Sequence, residues 1–138
     1  MKHFRWIVPL AIVAGLFGIC TVDAGPPGTT VGVAGTEVQG LLISYCWSSA
    51  CEAHCADGIA RTPPPTIVRA GAPAEARVVI TRASVRELHV RVGRSLDALA
   101  EIPSDRLTLA SGVNVVAVSA WWDRGSTYYI FAIDVVPE

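Results

Sequence analysis

Two long apolar runs separated by a tight turn restrict the fold of this chain more than any other feature. Residues 113–122 are almost wholly apolar, and in residues 126–136 every second position carries an apolar or aromatic side chain. Side chains at every second position lie on one face of a β-strand. Between the runs stand Asp123, Arg124 and Gly125, and glycine adopts the positive φ that tight hairpin turns need. The pattern predicts a β-hairpin at the centre of the domain.

Shorter period-two segments precede this hairpin. Residues 77–81 are rich in β-branched side chains, and residues 85–92 alternate apolar with polar positions. Residues 94–101 could form one or two helical turns. A longer helix is excluded, because Gly93 precedes them and Pro103 follows. About six or seven short strands separated by turn residues favour an antiparallel sandwich. We therefore predict an all-β chain that forms a single immunoglobulin-like antiparallel β-sandwich.

The amino terminus has the organisation of a secretory signal. Lys2, His3 and Arg5 form a basic start, an uncharged apolar run covers residues 7–19, and a small residue stands at Ala24. The apolar run is shorter than the roughly 20 residues of a transmembrane helix. We expect residues 1–24 to be a cleaved signal peptide and the rest to be extracytoplasmic: secreted, periplasmic or bound to the cell envelope.

Cys20 leaves a second route of processing open. Residues 16–20 resemble the lipobox of bacterial lipoproteins, in which the cysteine is lipidated and becomes the first residue. That motif has Gly, Ala or Ser before the cysteine, whereas this chain has Ile19. We expect cleavage after Ala24, with a membrane lipid anchor at Cys20 as the alternative.

The remaining residues divide into a short leading segment and one domain. Residues 25–39 are rich in Gly, Pro and Thr, which predicts a tether or a weak edge strand. Residues 40–138 are predicted to be the β-sandwich. Within them, Pro63, Pro64 and Pro65 cannot lie in a central strand and mark a stiff crossing.

Composition excludes two broad classes of protein. The chain has 138 residues, of which 51% are hydrophobic and 17% charged, and its formal net charge is −1. A disordered chain needs low hydrophobicity and high net charge. A nucleic-acid-binding protein needs an excess of positive charge to neutralise phosphates, so we expect no nucleic-acid partner.

Three cysteines lie close together in residues 45–57. If Cys20 leaves with the signal, one of the three is unpaired or bonded to another chain. Cys46 and Cys55 enclose a loop long enough for a disulfide, which leaves Cys51 as a free thiol or as the link of a covalent dimer. Pairing Cys51 with either neighbour is tighter and stays open.

The same segment supports an alternative function. Cys46, Cys51, His54 and Cys55 have the side chains that bind zinc or Cu(I), and Cys51 and His54 are weak candidate ligands. Their spacing matches no known paired-knuckle site, and a C-x-x-C redox motif is absent. We predict no metal and no cofactor; the alternative is a metal-binding or thiol-exchange protein.

The cysteine segment and the terminal hairpin together resemble a known group of proteins. The chain has Tyr45-Cys46-Trp47 followed by Cys55-x-Asp57, and its hairpin has the form W-x-x-G-x-x-x-Y-x-F, with the residues Trp122, Gly125, Tyr129 and Phe131. This resembles small exported bacterial β-sandwich proteins of unknown function. The resemblance implies the fold, the compartment and a Cys46–Cys55 disulfide. It implies no activity.

Catalysis is not expected from the remaining residues. The chain has no Gly-x-Ser-x-Gly elbow and no phosphate-binding glycine loop, and His89 lies on the polar face of a strand. Because adjacent strand residues face opposite sides, Trp122 is predicted in the core against Tyr129 and Phe131, with Trp121 facing outward. We predict a non-catalytic module that binds a protein or an envelope component, with Trp121 as a ligand contact.

Overall fold

A computed structural model of the protein describes residues 25–81 and 84–138. The predicted signal peptide and the alternative lipid anchor at Cys20 lie outside the described residues. The described chain contains eleven strands and one 3-10 turn, Leu96–Ala98. The strands are β1 (Thr29–Val33), β2 (Thr36–Gln39), β3 (Leu41–Ser48), β4 (Ala53–Asp57), β5 (Thr66–Arg69), β6 (Ala74–Ile80), β7 (Glu87–Gly93), β8 (Leu99–Ile102), β9 (Arg106–Leu109), β10 (Gly112–Trp122) and β11 (Gly125–Val136).

The strands form two sheets, which confirms the predicted all-β class. The smaller sheet has the strand order β2-β1-β6-β9, and the larger has β4-β3-β11-β10-β7-β8. The pairings are antiparallel except that β5 runs parallel to the end of β11. The length of β11 permits this, because β3 pairs with residues 125–130 and leaves Ile133–Val136 for β5.

One apolar core joins the two sheets. Val31, Val78 and Leu109 from the smaller sheet pack in the same cluster as Val118 and Phe131 from the larger one. Gly40 contributes by having no side chain, because a Cβ there would meet the Phe131 ring at 2.6 Å. Two facing sheets with alternate residues buried between them form a sandwich-like arrangement.

The hairpin of β10 and β11 confirms the main sequence prediction. Its register runs without interruption from Gly112 opposite Val135 to Trp122 opposite Gly125, so Asp123 and Arg124 form the two-residue turn. Glycine is required at position 125, because a Cβ there would collide with the backbone carbonyl of Cys46 on β3. The close approach of β3 therefore depends on this glycine.

Residues 25–39, for which the sequence left a tether or an edge strand open, form the hairpin of β1 and β2. β1 pairs with β2 on one side and with β6 on the other, so it is an interior strand, and β2 is the edge. Val31, Val33 and Val38 are buried in the core. Burial of these valines outweighs the flexibility that the intervening glycines and threonines bring.

The structure has more strands than the sequence pattern predicts, and less helix. The expected helical turns at residues 94–101 shrink to the 3-10 turn Leu96–Ala98, and Leu99 already belongs to β8. β8 pairs with β7, which extends the larger sheet by one strand. Within residues 25–81 and 84–138, no helix has the length and apolar character needed to cross a membrane.

Candidate binding face around Trp121

The outer face of the larger sheet, the side away from the core, holds the candidate site. Along β10, Val116, Val118, Ala120 and Trp122 are buried against the other sheet, so the residues between them face outward. The last of these outward residues is Trp121, which is 40% exposed. It is the expected outward aromatic residue.

Strand register determines which side chains surround Trp121. On β7, Glu87 lies opposite Trp121 and His89 lies opposite Ser119. On β11, Tyr128 also lies opposite Ser119. Ser119, with the smallest of these side chains, therefore lies between Trp121, His89 and Tyr128, because side chains at facing and alternate positions share one sheet face.

His89 is held between two carboxylates. Its Nε2 lies 2.6 Å from Glu87 Oε1, and its Nδ1 lies 2.7 Å from Glu101 Oε1. The hydrogen bonds to Glu87 and then to Glu101 raise the pKa of His89 above its ordinary value, and slight desolvation opposes them. An ionised carboxylate only accepts, so protonated His89, in which both ring nitrogens donate, is the form that satisfies both contacts.

Two ring contacts complete the arrangement. The His89 and Trp121 rings meet edge to face, with centroids 5.3 Å apart and planes at 81°. The Arg91 guanidinium lies 6.0 Å from the centroid of the Tyr128 ring, and Arg91 stands opposite Ala117, which is buried. We call this surface the Trp121 face; it comprises Glu87, His89, Arg91, Glu101, Ser119, Trp121 and Tyr128.

Another part of the same sheet face is covered by the chain itself. Further along β10 and β11, Val115 and Ile130 are buried in a second apolar cluster on the outer side. Leu96 and Leu99, from the 3-10 turn and β8, pack on this cluster. The Trp121 face thus begins where the covering residues stop.

The cysteine segment forms the hairpin of β3 and β4. Cys46 and Cys55 lie directly opposite each other in this pair, with 4.1 Å between their Cα atoms, and they form a disulfide. This confirms the preferred pairing and rules out the tighter ones involving either of these cysteines with Cys51. A disulfide is compatible with an oxidising, extracytoplasmic environment.

The prediction that Cys51 is a free thiol is wrong. Cys51 is disulfide-bonded, and no cysteine among the described residues is free. Because the Cys51 sulfur is already used in a disulfide, a covalent dimer linked through Cys51 also loses its basis.

The candidate metal ligands are not arranged to bind one metal ion. The sulfurs of Cys46 and Cys55 are used in their disulfide, and the Nε2 of His54 lies 2.6 Å from Glu52 Oε2 on the exposed hairpin. In residues 25–81 and 84–138, no three His, Cys, Asp or Glu side chains are placed to hold one metal ion. Cystine sulfur does not supply the thiolate that zinc or Cu(I) binds.

Trp122 is buried as predicted, but its neighbour is different. It packs edge to face on Trp47, with ring centroids 5.9 Å apart, whereas Tyr129 and Phe131 stack on each other at 6.1 Å. Trp122 and Trp47 each lie opposite Gly125, one on either side of it. The close approach of β3 that this glycine permits brings the two tryptophans together.

Sequence reasoning missed part of the Trp121 face. Glu101 is 12 residues from His89 and reaches it only because β8 pairs beside β7, a strand that the pattern did not predict. Glu87 could have been predicted from the sequence, since it lies two residues before His89 on the polar face of β7. Comparison of this chain with protein-family models, curated proteins and solved structures finds no match.

Proposed function

We propose that this protein is a non-catalytic, extracytoplasmic binding module and that the Trp121 face contacts its ligand. The proposal includes an immunoglobulin-like topology for the two sheets and a cleaved signal peptide before residue 25. The two-sheet fold and the Cys46–Cys55 disulfide support it.

The observation that carries the proposal is the exposure of Trp121 at the centre of an ordered polar surround. A tryptophan side chain is large and mostly apolar, and 40% of it faces solvent here. Its neighbour His89 is held by two carboxylates, so the surface around the indole is preorganised. Rigid exposed aromatic residues with polar neighbours are the usual centres of binding surfaces, because they bury much area with little loss of entropy.

The geometry around His89 is consistent with a role in binding. Both of its nitrogens contact carboxylates, of Glu87 and of Glu101, which hold the ring in one orientation. The carboxylates are correspondingly tied to the imidazolium. These groups orient each other and can present hydrogen bonds to a ligand.

The experiment compares capture of envelope components by three forms of the exported protein. Wild type, Trp121→Ala and Val79→Ala are immobilised and exposed to solubilised cell envelope. Val79 is the matched control, because it is an exposed apolar residue on the outer face of the smaller sheet. We expect Trp121→Ala to lose the captured component and Val79→Ala to keep it, with unchanged circular dichroism for both. Equal capture by all three forms would remove the Trp121 face as the binding surface.

A further inference from the structure

We infer that the ligand of the Trp121 face is an uncharged carbohydrate, a glycan chain with one sugar ring lying on the indole of Trp121. This inference rests on the proposed function and adds the chemical class of the ligand. Three properties of the face carry it: its shape, its hydrogen-bonding groups and its charge balance.

The shape suits a flat ring better than a side chain that needs a deep pocket. Ser119 has a small side chain, and His89 and Tyr128 stand on the strands to either side of it, about 10 Å apart, two strand spacings. Trp121 lies two residues along the strand on the same face, 40% exposed, and Arg91 contacts Tyr128 in the other direction. This part of the sheet face is wide and open to solvent beside the indole.

The hydrogen-bonding groups match the hydroxyls of a sugar. Each sugar hydroxyl both donates and accepts, and neighbouring hydroxyls pair well with planar side chains that offer two atoms in one plane. Carboxylates at Glu87 and Glu101 accept, the Arg91 guanidinium donates, and the hydroxyls of Ser119 and Tyr128 do both. The C–H face of a sugar ring is apolar and can cover the indole, so one ligand satisfies both parts of the surface.

The charge balance separates a neutral glycan from charged ligands. Two carboxylates, Glu87 and Glu101, share the face with the Arg91 guanidinium and with His89, which carries a charge only when it is protonated, so the opposite charges nearly cancel. A face with so little net charge attracts neither an anionic nor a cationic ligand strongly from a distance. An uncharged polyhydroxyl chain needs no such attraction.

A protein partner fits this face less well. The centre of a protein–protein interface is depleted of charged residues and rich in apolar area. Here the exposed indole of Trp121 lies beside His89 and Glu87, with Glu101 and Arg91 further along the same face, and the other large exposed apolar residues of the described chain lie elsewhere. They are Ile59, Ile67, Val79 and Val113.

The test uses the exported protein and six defined oligosaccharides. The neutral probes are cello-, xylo-, malto- and chito-oligosaccharides; the charged controls are oligogalacturonate and chitosan oligomers. Binding is measured by calorimetry and by tryptophan emission for wild type, Trp121→Ala, Trp121→Phe and Val79→Ala. We expect a neutral probe to bind, Trp121→Ala to weaken it by about tenfold or more, Trp121→Phe to retain part of the affinity, and Val79→Ala to bind as wild type.

The outcomes separate this inference from the proposed function. If no neutral probe binds at concentrations up to about 10 mM, or if the charged probes bind equally tightly, the inference of an uncharged carbohydrate ligand is wrong. If the envelope capture still depends on Trp121 but the captured component is a protein, the Trp121 face is a binding surface and the inference of a carbohydrate ligand is wrong. If neither capture nor sugar binding depends on Trp121, both are wrong.

Discussion

Trp121 and Trp122 are neighbours on β10, yet they have opposite environments. Trp122 is 9% exposed and packs on Trp47 between the sheets, whereas Trp121 is 40% exposed and contacts the ring of His89. Strand geometry alone sends adjacent side chains to opposite faces. Two identical residues can therefore serve stability and recognition from consecutive positions.

The difference between the two positions lies in what covers them. The inner face of β10 meets a second sheet that supplies apolar side chains, so each buried residue contributes its transfer free energy. The outer face beside Trp121 meets polar side chains such as His89 and Glu87, and solvent. The comparison predicts a large structural role for Trp122 and a small one for Trp121.

Truncating Trp122 gives the largest expected effect. Trp122→Ala leaves a cavity beside Trp47 and Ala120, so we expect a loss of about 3–5 kcal/mol in the free energy of unfolding, measured by urea denaturation. In the described structure the indole Nε1 of Trp122 is buried without a hydrogen-bond partner. Trp122→Phe should therefore be much milder than Trp122→Ala. A loss below about 1 kcal/mol for the alanine variant would contradict a core role.

Removing the Cys46–Cys55 disulfide should have the next largest effect. The disulfide links residues separated by 9 positions and joins β3, which carries Trp47, to the exposed strand β4. The double variant Cys46→Ala/Cys55→Ala should lose about 2–3 kcal/mol, because the unfolded chain gains entropy. His54→Ala in the same hairpin is the control and should change stability by less than about 0.5 kcal/mol. Equal effects of the two variants would show that the disulfide does not support the fold.

Truncating Trp121 should hardly affect stability. Trp121→Ala removes a contact with His89 on the open face, and such same-face contacts contribute about 0.2–1 kcal/mol. Thermal unfolding of the variant should stay close to wild type while ligand binding is lost. A loss of more than about 3 kcal/mol would assign Trp121 to the core and end the contrast with Trp122.

The smallest expected effect is the pH dependence of His89. Its pKa is raised in the folded protein by Glu87 first and Glu101 second, relative to about 6.5 for an unperturbed imidazole. A raised folded pKa means that the stabilising contribution is present below the unfolded pKa and is lost as the pH rises through the folded pKa. An NMR titration should place the His89 midpoint above 6.5, and Glu87→Gln should lower it.

The Glu87→Gln variant also tests the order of the causes. If Glu101→Gln lowers the His89 midpoint more than Glu87→Gln does, the relative strength of the two hydrogen bonds is the reverse of that inferred from the structure. If neither variant moves the midpoint, the ion pairs of His89 do not form in solution, and the surface around Trp121 is not preorganised.

Much of the fold could be predicted from the sequence, but the Trp121 face could be predicted only in part. The β10–β11 hairpin and the outward position of Trp121 follow from period-two alternation and a turn glycine, which are local signals. Glu101 could not be placed beside His89, because that contact depends on β8 pairing with β7 across the chain. Likewise, the interior position of β1 depends on pairing with β6, about 50 residues away.

By itself, the sequence determined the class of structure, the central hairpin and which tryptophan of the pair is buried, because these depend on alternation along one strand. Only the tertiary structure decided the neighbours: Trp47 against Trp122, the two carboxylates around His89, and the covering of the outer face by Leu96 and Leu99. The physical reason is that a strand's own residues set its two faces, whereas strand order and register set what lies across from each face.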